Sequence, residues 1–193
     1  MRKVVVYELL SVDGVAEAPE TFFGWADDLD PQLARTIGSQ DAVILGRTTF
    51  DEWSQYWPGP GAESQPFAPF INSVAKHIAT STPLDREWRN ARKIEGSLVD
   101  HVRMLKEQPG GDIGVHGSIK VAQSLLEAGV VDELKLVVGP MVASQGRRLL
   151  DGMPPGMLEL AHSEVSPSGY LVLDYRVTGK PVEPFPEDSG QTA

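Results

Sequence analysis

The chain has 193 residues, of which 41% are apolar and 23% charged, and its formal net charge is −10. The length suits one domain with a sizeable core, and the acidic balance argues against general binding to nucleic acids or anionic membranes. The absence of cysteine excludes disulfides, thiolate catalysis and cysteine metal sites. The first apolar run is too short for a signal peptide or a membrane span, which predicts a soluble, cytoplasmic protein.

Strands and helices alternate along the predicted chain. Apolar runs predict strands at 3–10, 42–45, 76–80, 92–95, 112–116 and 134–138, and then a terminal hairpin of 158–165 and 170–177. Helical spacing predicts helices at 30–38, with Asp30 as N-cap and Pro31 next, and at 47–53, 66–74, 98–106 and 117–129. This order indicates an α/β domain over residues 1–178, with a mainly parallel sheet and an antiparallel C-terminal hairpin. The Pro-, Gly- and acid-rich segment 179–193 is predicted to be a disordered tail.

Three loops follow strands at the edge where open parallel sheets bind ligands. They contain Gly46-Arg47-Thr48-Thr49, Ser81-Thr82 and Gly117-Ser118-Ile119. A helix begins at the first loop and another at the third, and the N-terminal N–H groups and dipole of a helix favour phosphate binding. The guanidinium group of Arg47 can donate two parallel hydrogen bonds to the same phosphate. The same residue types also make ordinary turns and N-caps, so both interpretations stay open.

Other motifs are missing. The sequence has no P-loop, no GxGxxG and no GxSxG, and its four histidines are not spaced as metal ligands, so no metal site is expected. His116 ends a predicted strand beside Gly117, where it can either line a pocket or pack in the core.

Four segments resemble, in order, the dihydrofolate reductase-like superfamily, and more narrowly the relatives of the C-terminal reductase domain of the bacterial bifunctional riboflavin-synthesis deaminase–reductase. They are LLSVDGVAEAP at 9–19, DAVILGRTTFDEW at 41–53, KHIATSTP at 76–83 and the long segment 112–150. The resemblance implies a three-layer fold that uses NADPH to reduce a small pteridine-, pyrimidine- or flavin-like heterocycle, similar to the 5-amino-6-(5-phosphoribosylamino)uracil reductase of riboflavin synthesis. It also implies a homodimer, for which the segment 132–146, expected near the sheet edge, is the candidate contact.

The resemblance also implies cofactor contacts for individual residues. The pyrophosphate and 2′-phosphate side of NADPH falls to Gly46, Arg47, Thr48 and Thr49, with Ser81 and Thr82 also at the 2′-phosphate. The pyrophosphate and nicotinamide would rest on Gly117, Ser118 and Ile119, next to His116. The loop that covers the nicotinamide corresponds to Ser11, Val12, Asp13 and Gly14.

The chain departs from dihydrofolate reductases at the catalytic carboxylate, which those enzymes carry on the helix after the first loop. The corresponding segment offers Asp27 and Asp28 without a clear register, and both also suit a solvated surface. Glu8 is a third candidate, because an acid inside an apolar strand is costly unless it is partnered, and burial would raise its pKa. A structural pairing of Glu8 with an arginine or backbone N–H groups is an equal alternative.

Aromatic residues flank the expected pocket at 22, 23, 25, 53, 56 and 57, where they can stack on a flat ring or pack in the core. For a ribose phosphate, the only further basic candidates are Arg147 and Arg148, which also suit a surface role. A second hypothesis is a non-catalytic NADP-binding regulatory or interaction module. A closed pocket built from residues 20–30 above Gly117 would favour the enzyme, and a shallow or blocked one the module.

Overall fold

The structure is a computed structural model, and it describes residues 1–179. The strands in this part of the chain are β1 (Val4–Leu10), β2 (Gln40–Gly46), β3 (Ala75–Ala79), β4 (Ala91–Lys93), β5 (Asp112–His116), β6 (Glu133–Val138), β7 (Leu158–Val165) and β8 (Leu171–Val177). The helices are α1 (Asp30–Ile37), α2 (Arg47–Tyr56), α3 (Ala68–Ser73), α4 (Leu98–Glu107) and α5 (Ile119–Glu127). Every strand lies within two residues of its predicted bounds.

The eight strands form one sheet in the order β4-β3-β2-β5-β1-β6-β8-β7. Neighbours from β4 to β6 are parallel, whereas β8 runs antiparallel to both β6 and β7. The predicted α/β fold, mainly parallel with an antiparallel C-terminal hairpin, is therefore confirmed. The predicted tail lies outside the described residues except for Gly179.

Apolar side chains fill both faces of the sheet. Val4 and Val6 of β1 belong to one core together with Leu125 of α5. Tyr7 belongs to the core on the opposite face together with Phe50 of α2. Because both faces are covered, β1 is apolar at nearly every position rather than alternating with polar residues.

The end of β1 projects beyond its neighbour β5. The parallel pairing of β1 with β5 ends at Tyr7 opposite His116, whereas its pairing with β6 continues to Leu10. After His116 the chain turns away at Gly117, which has a φ of +62°. This turn leaves a gap beside residues 8–10, between the carboxyl ends of the central strands.

Two expectations about local structure are wrong. Asp30 is the first residue of α1 and Leu29 its N-cap, and the Asp30 carboxylate instead accepts a hydrogen bond from the Trp25 indole N–H at 2.8 Å. The segment 132–146 does not begin near the sheet edge, because β6 lies between β1 and β8 and the outer strand is β7. Among residues 1–179, no helix has the length and apolar character needed to cross a bilayer.

Candidate active site

A cavity of about 810 Å³ opens at the carboxyl ends of β1 and β5. Its aromatic lining is Tyr7, Phe23, Trp25, Trp53, Tyr56, Trp57 and Phe67. Its carboxyl groups belong to Glu8, Glu20 and Glu52, and the rest of the lining is Leu9, Pro19, Leu33, Gln65, Pro66, His116 and Gly117. Phe23, Trp25 and Glu20 come from the loop after β1, so residues of the 20–30 segment do form a pocket with Gly117.

The aromatic wall is held by contacts among its own rings. Trp53 meets Trp57 and Phe67 edge-on, with ring centroids 5.8 and 5.7 Å apart. The centroids of Trp57 and Phe67 are 5.1 Å apart. Helix α2 supplies Trp53 and Trp57 from successive turns of one face. The result is an apolar slot whose shape suits a flat ring.

Glu8 lies in the cavity wall and is only 3% exposed. Its Oε1 is buried without a hydrogen-bond partner in the described part of the chain. Burial raises the pKa of Glu8 to about 8, so the neutral acid predominates at pH 7. The proposed pairing with an arginine or backbone N–H groups is not observed for this oxygen. Alternation along β1 places the Glu8 side chain on the face of Val6 and Leu10, whereas the aromatic wall packs on the face of Tyr7.

His116 lines the same cavity and is also uncharged. Its Nε2 lies 2.7 Å from Oε1 of Gln40, and burial lowers the pKa of His116 to about 3. The side chains meet over Gly114, where a Cβ atom would collide with both. His116 therefore supplies a neutral ring and no positive charge for an anion.

The starts of α2 and α5 are joined by hydroxyl groups. The backbone N–H of Gly46 donates to Oγ of Ser118 at 2.8 Å, and Oγ1 of Thr49 lies 2.8 Å from the same oxygen. Thr49 also donates to the carbonyl oxygen of Gly117 at 3.2 Å. Neither helix has a side-chain N-cap, so both N-termini keep backbone donors suited to a phosphate. Four of the predicted residues are thus brought together.

Arg47 and Thr82 also meet, but the guanidinium is already engaged by acids. Nε of Arg47 donates to both carboxylate oxygens of Asp51 at 2.8 Å, and Nη2 donates to Asp85 at 2.8 Å. Nη1 donates to Oγ1 of Thr82 and to the carbonyl oxygen of Pro83, each at 2.7 Å. A cofactor phosphate at Arg47 would have to displace a carboxylate, and the exposed side chain of Asp85 is the freer of the two.

The remaining predicted cofactor residues are dispersed. Exposed Ser81 lines a second cavity of about 340 Å³ beside Ile94 and Gly96, one strand away from Arg47. Thr48 is exposed on the first turn of α2, and the side chain of Ile119 lies in the apolar core.

The predicted nicotinamide loop is fastened to residues 143–148 rather than to the cavity. The Asp13 carboxylate accepts hydrogen bonds from the N–H groups of Ala143 and Ser144 at 3.0 and 3.1 Å. The Ser11 hydroxyl and these N–H groups hold the pKa of Asp13 below its usual range. Ser11, Asp13 and Gly14 are absent from the cavity lining.

Asp27 and Asp28 lie outside the lining of the cavity. The Asp28 carboxylate accepts hydrogen bonds from the N–H of Ser168 at 2.7 Å and from its hydroxyl at 2.6 Å, and this hydroxyl holds the pKa of Asp28 low. Asp28 thus anchors the turn between β7 and β8, and Asp27 is exposed next to it. Both placements argue against a catalytic role and leave Glu8 as the buried acid of the site.

Several cavity residues were missed by the sequence analysis, chiefly Tyr7, Phe67 and Glu52. Tyr7 adjoins Glu8 in β1 and donates its hydroxyl to Gln32 at 3.2 Å. Phe67 follows a long Pro/Gly-rich loop whose path has no local signal. Another unpredicted contact joins β3 to α4, where Nδ1 of His77 lies 2.7 Å from Nε2 of His101.

Solved structures of other proteins share the architecture of this chain. A putative riboflavin biosynthesis protein from Shewanella sp. PV-4 matches with a TM-score of 0.71 at 16% identity, over 91% of this chain and 98% of that one. Dihydrofolate reductase from Enterococcus faecalis, solved with NADP(H), matches with a TM-score of 0.63 at 15% identity, over 91% and 96%. These likenesses establish a dihydrofolate reductase-like α/β fold.

The chain belongs to the RibD C-terminal domain family, whose model matches residues 2–172. The uncharacterized protein YyaP from Bacillus subtilis (strain 168) is 26% identical over 184 residues, which are 92% of this chain and 96% of that protein. Family and fold together support a reductase-type role.

Proposed function

We propose that this chain is an NADPH-dependent reductase that delivers hydride to a small flat heterocycle of the pteridine, pyrimidine or flavin type. The observation that carries the proposal is the aromatic cavity at Gly117, to which residues 20–25 contribute a wall. A cytoplasmic location is part of the same proposal. The family and fold support the reaction type, and the residues below supply the reasons for assigning it to this site.

The loops at the carboxyl ends of the strands carry groups that can bind NADPH. The joined starts of α2 and α5 provide uncapped N–H groups for the pyrophosphate, and Arg47 and Thr82 would hold the 2′-phosphate. A Cβ atom at Gly117 would lie 3.3 Å from Trp53, so glycine keeps this part of the wall open. When bound, NADPH supplies the hydride.

Side chains of the cavity would orient the acceptor ring and supply the proton. The aromatic wall would orient the acceptor ring and exclude water. Glu8 would hold a proton close to neutral pH, and a water molecule in the gap beside residues 8–10 would pass that proton to a ring nitrogen or carbonyl group. The neutral pair of His116 and Gln40 would keep the cavity floor in place without adding charge.

The alternative is a non-catalytic NADP-binding module. It is favoured by the positions of Asp27 and Asp28 outside the cavity, and by the carboxylates that already occupy Arg47. It leaves unexplained why a buried acid and an aromatic slot of this volume lie beside Gly117.

Turnover decides between the two functions. We expect the purified chain to oxidise NADPH in the presence of at least one ring from a panel of pteridines, pyrimidines and flavins, followed by cofactor absorbance. Gly117→Val would narrow the cavity against Trp53 and should abolish that turnover, whereas Gly152→Val, at an exposed glycine with a similarly positive φ and open space around it, should leave the turnover unchanged. Binding of NADPH without oxidation by any ring would favour the module.

A further inference from the structure

The charges around the cavity are all of one sign. Glu8, Glu20 and Glu52 line it, and no lysine or arginine does so among residues 1–179. His116 contributes no charge because burial lowers its pKa to about 3. Glu20 and Glu52 are exposed acidic residues, so an anionic ligand would meet repulsion at the mouth.

Three arginines considered for phosphate binding are already engaged by other groups. Arg147 pairs with Glu17 at 2.7 Å, and Nε of Arg148 donates to the carbonyl oxygen of Asp13 at 2.7 Å. Arg47 pairs with Asp51 and with Asp85, each at 2.8 Å. None of these three guanidinium groups lines the cavity.

Two buried polar atoms in lining residues have no partner in the described part of the chain. They are Oε1 of Glu8 and Nε1 of Trp57. An unsatisfied buried polar atom costs about 1–3 kcal/mol, and a ligand that pairs with it recovers that cost. Trp57 belongs to the aromatic wall, so its indole N–H favours a ligand with an acceptor such as a carbonyl oxygen or ring nitrogen. The Glu8 side chain lies on the other face of β1, with Val6 and Leu10.

We propose that the hydride acceptor of this cavity is a flat aromatic ring that is neutral or cationic, has a hydrogen-bond acceptor for Trp57, and carries no phosphate or carboxylate. The inference rests on the proposed reductase function and narrows its substrate class. Aromatic faces attract a positively charged ring as well as a neutral one. The phosphoribosyl substrate implied by the resemblance to the riboflavin-pathway reductase is therefore excluded from this cavity.

Three acridine-type dyes of similar size and different charge test the proposal without cofactor. Proflavine is cationic, acridone is neutral with a carbonyl group, and acridine carboxylate is anionic. We expect proflavine or acridone to quench the tryptophan fluorescence and bind at least about tenfold more tightly than the carboxylate. Equal or tighter binding of the carboxylate, or no binding of any of the three, would overturn the proposal.

Reversing one charge in the cavity lining tests whether the preference for cationic over anionic dyes arises there. Glu52→Lys, on the exposed side of α2, should reduce the preference for proflavine over the carboxylate by about tenfold. Glu107→Lys changes the net charge equally at the exposed end of α4, outside the cavity, and should leave the preference unchanged. Equal effects of the two variants would mean that the selectivity comes from the overall charge and not from the cavity.

The two proposals fail separately. NADPH binding without ring selectivity would remove the substrate class and leave the reductase in place. Ring selectivity without any binding of NADPH would leave a ring-binding cavity and remove the reductase.

Discussion

Glu8 and His116 share a cavity wall, and burial keeps each of them neutral. The pKa of Glu8 rises to about 8, and that of His116 falls to about 3, because an interior of low polarity disfavours the charged form of either group. Glu8 therefore stays protonated, and the His116 imidazole carries a single ring proton. At pH 7 these two groups of the inner wall are therefore uncharged, while the acidic side chains of Glu20 and Glu52 lie exposed at the mouth.

The raised pKa of Glu8 makes the stability of the fold depend on pH. The unfolded chain releases this proton near pH 4.5, whereas the folded chain keeps it to about pH 8. The free energy of unfolding should thus fall between these values, by up to about 5 kcal/mol, as pH rises. This contribution is absent in Glu8→Gln. As pH rises, the free energy of unfolding of the variant should therefore increase relative to that of the wild type.

Urea unfolding of both proteins at pH 5 and pH 8.5 measures this difference. Histidines that titrate in the same range affect both proteins equally and cancel in the comparison. A pH-independent difference would show that Glu8 ionises in the folded protein as it does in solution.

Arg47 tests the cofactor assignment at a single side chain. If its guanidinium binds the 2′-phosphate, Arg47→Ala should weaken NADPH at least about tenfold more than NADH, because only NADPH carries that group. Arg35→Ala, which removes an exposed arginine paired with Glu164, serves as control and should change neither affinity. Calorimetric titration gives both constants, and equal losses for NADPH and NADH in Arg47→Ala would contradict the assignment.

At the scale of elements, the site depends on how α2 and α5 begin. The Ser118 hydroxyl accepts a hydrogen bond from the Gly46 N–H and forms a second one with the Thr49 hydroxyl. It does not cap the N-terminus of α5. This use of the hydroxyl fixes the two helix starts relative to each other and leaves their N-terminal donors for a ligand. A cap of the usual kind would have removed one of those donors.

Ser118→Ala should therefore weaken NADPH severalfold and destabilise the fold by about 1–2 kcal/mol. Ser97→Ala is the matched control, because Ser97 caps α4 by accepting from the Asp100 N–H, away from the site. That variant should lose about 1 kcal/mol of stability and keep its affinity for NADPH. If both serine variants keep wild-type affinity, the joined helix starts do not form the phosphate site.

At the scale of the whole molecule, the outer strand β7 leaves seven of its eight residues exposed. Leu160 and Val165 are 52% and 69% exposed, and β7 has no partner strand on its outer side within residues 1–179. An exposed strand edge with apolar side chains invites pairing with another chain. We propose that a second copy covers β7, which moves the expected dimer contact away from the segment 132–146.

Light scattering in solution tests this dimer. The wild type should have twice the mass of the chain, and the double variant Leu160→Lys, Val165→Lys should be monomeric. Met104→Lys, at another exposed apolar position on α4, should remain dimeric. A monomeric wild type would contradict the proposal.

Features that depend on neighbouring residues could be predicted from the sequence, whereas contacts between residues far apart in the chain could not. Strand β5 was predicted to the residue because its apolar run and the Gly117 turn are local signals. The position of Asp28 was not predictable, since its partner Ser168 is 140 residues away. The same holds for Asp85 beside Arg47, which comes from another loop 38 residues away, whereas Asp51 is a local partner four residues along α2. The missing partner of Glu8 is a property of the packed interior, which no pattern along the strand encodes.

The most direct test of the central claim is calorimetric titration of the purified chain with NADPH, with NADH run in parallel. The account predicts saturable binding of one NADPH per chain and weaker binding of NADH, because the strand-end loops would hold both the pyrophosphate and the 2′-phosphate. No binding of either nucleotide would mean that the Gly46 and Gly117 loops are structural turns, and the proposed reductase would lose its cofactor.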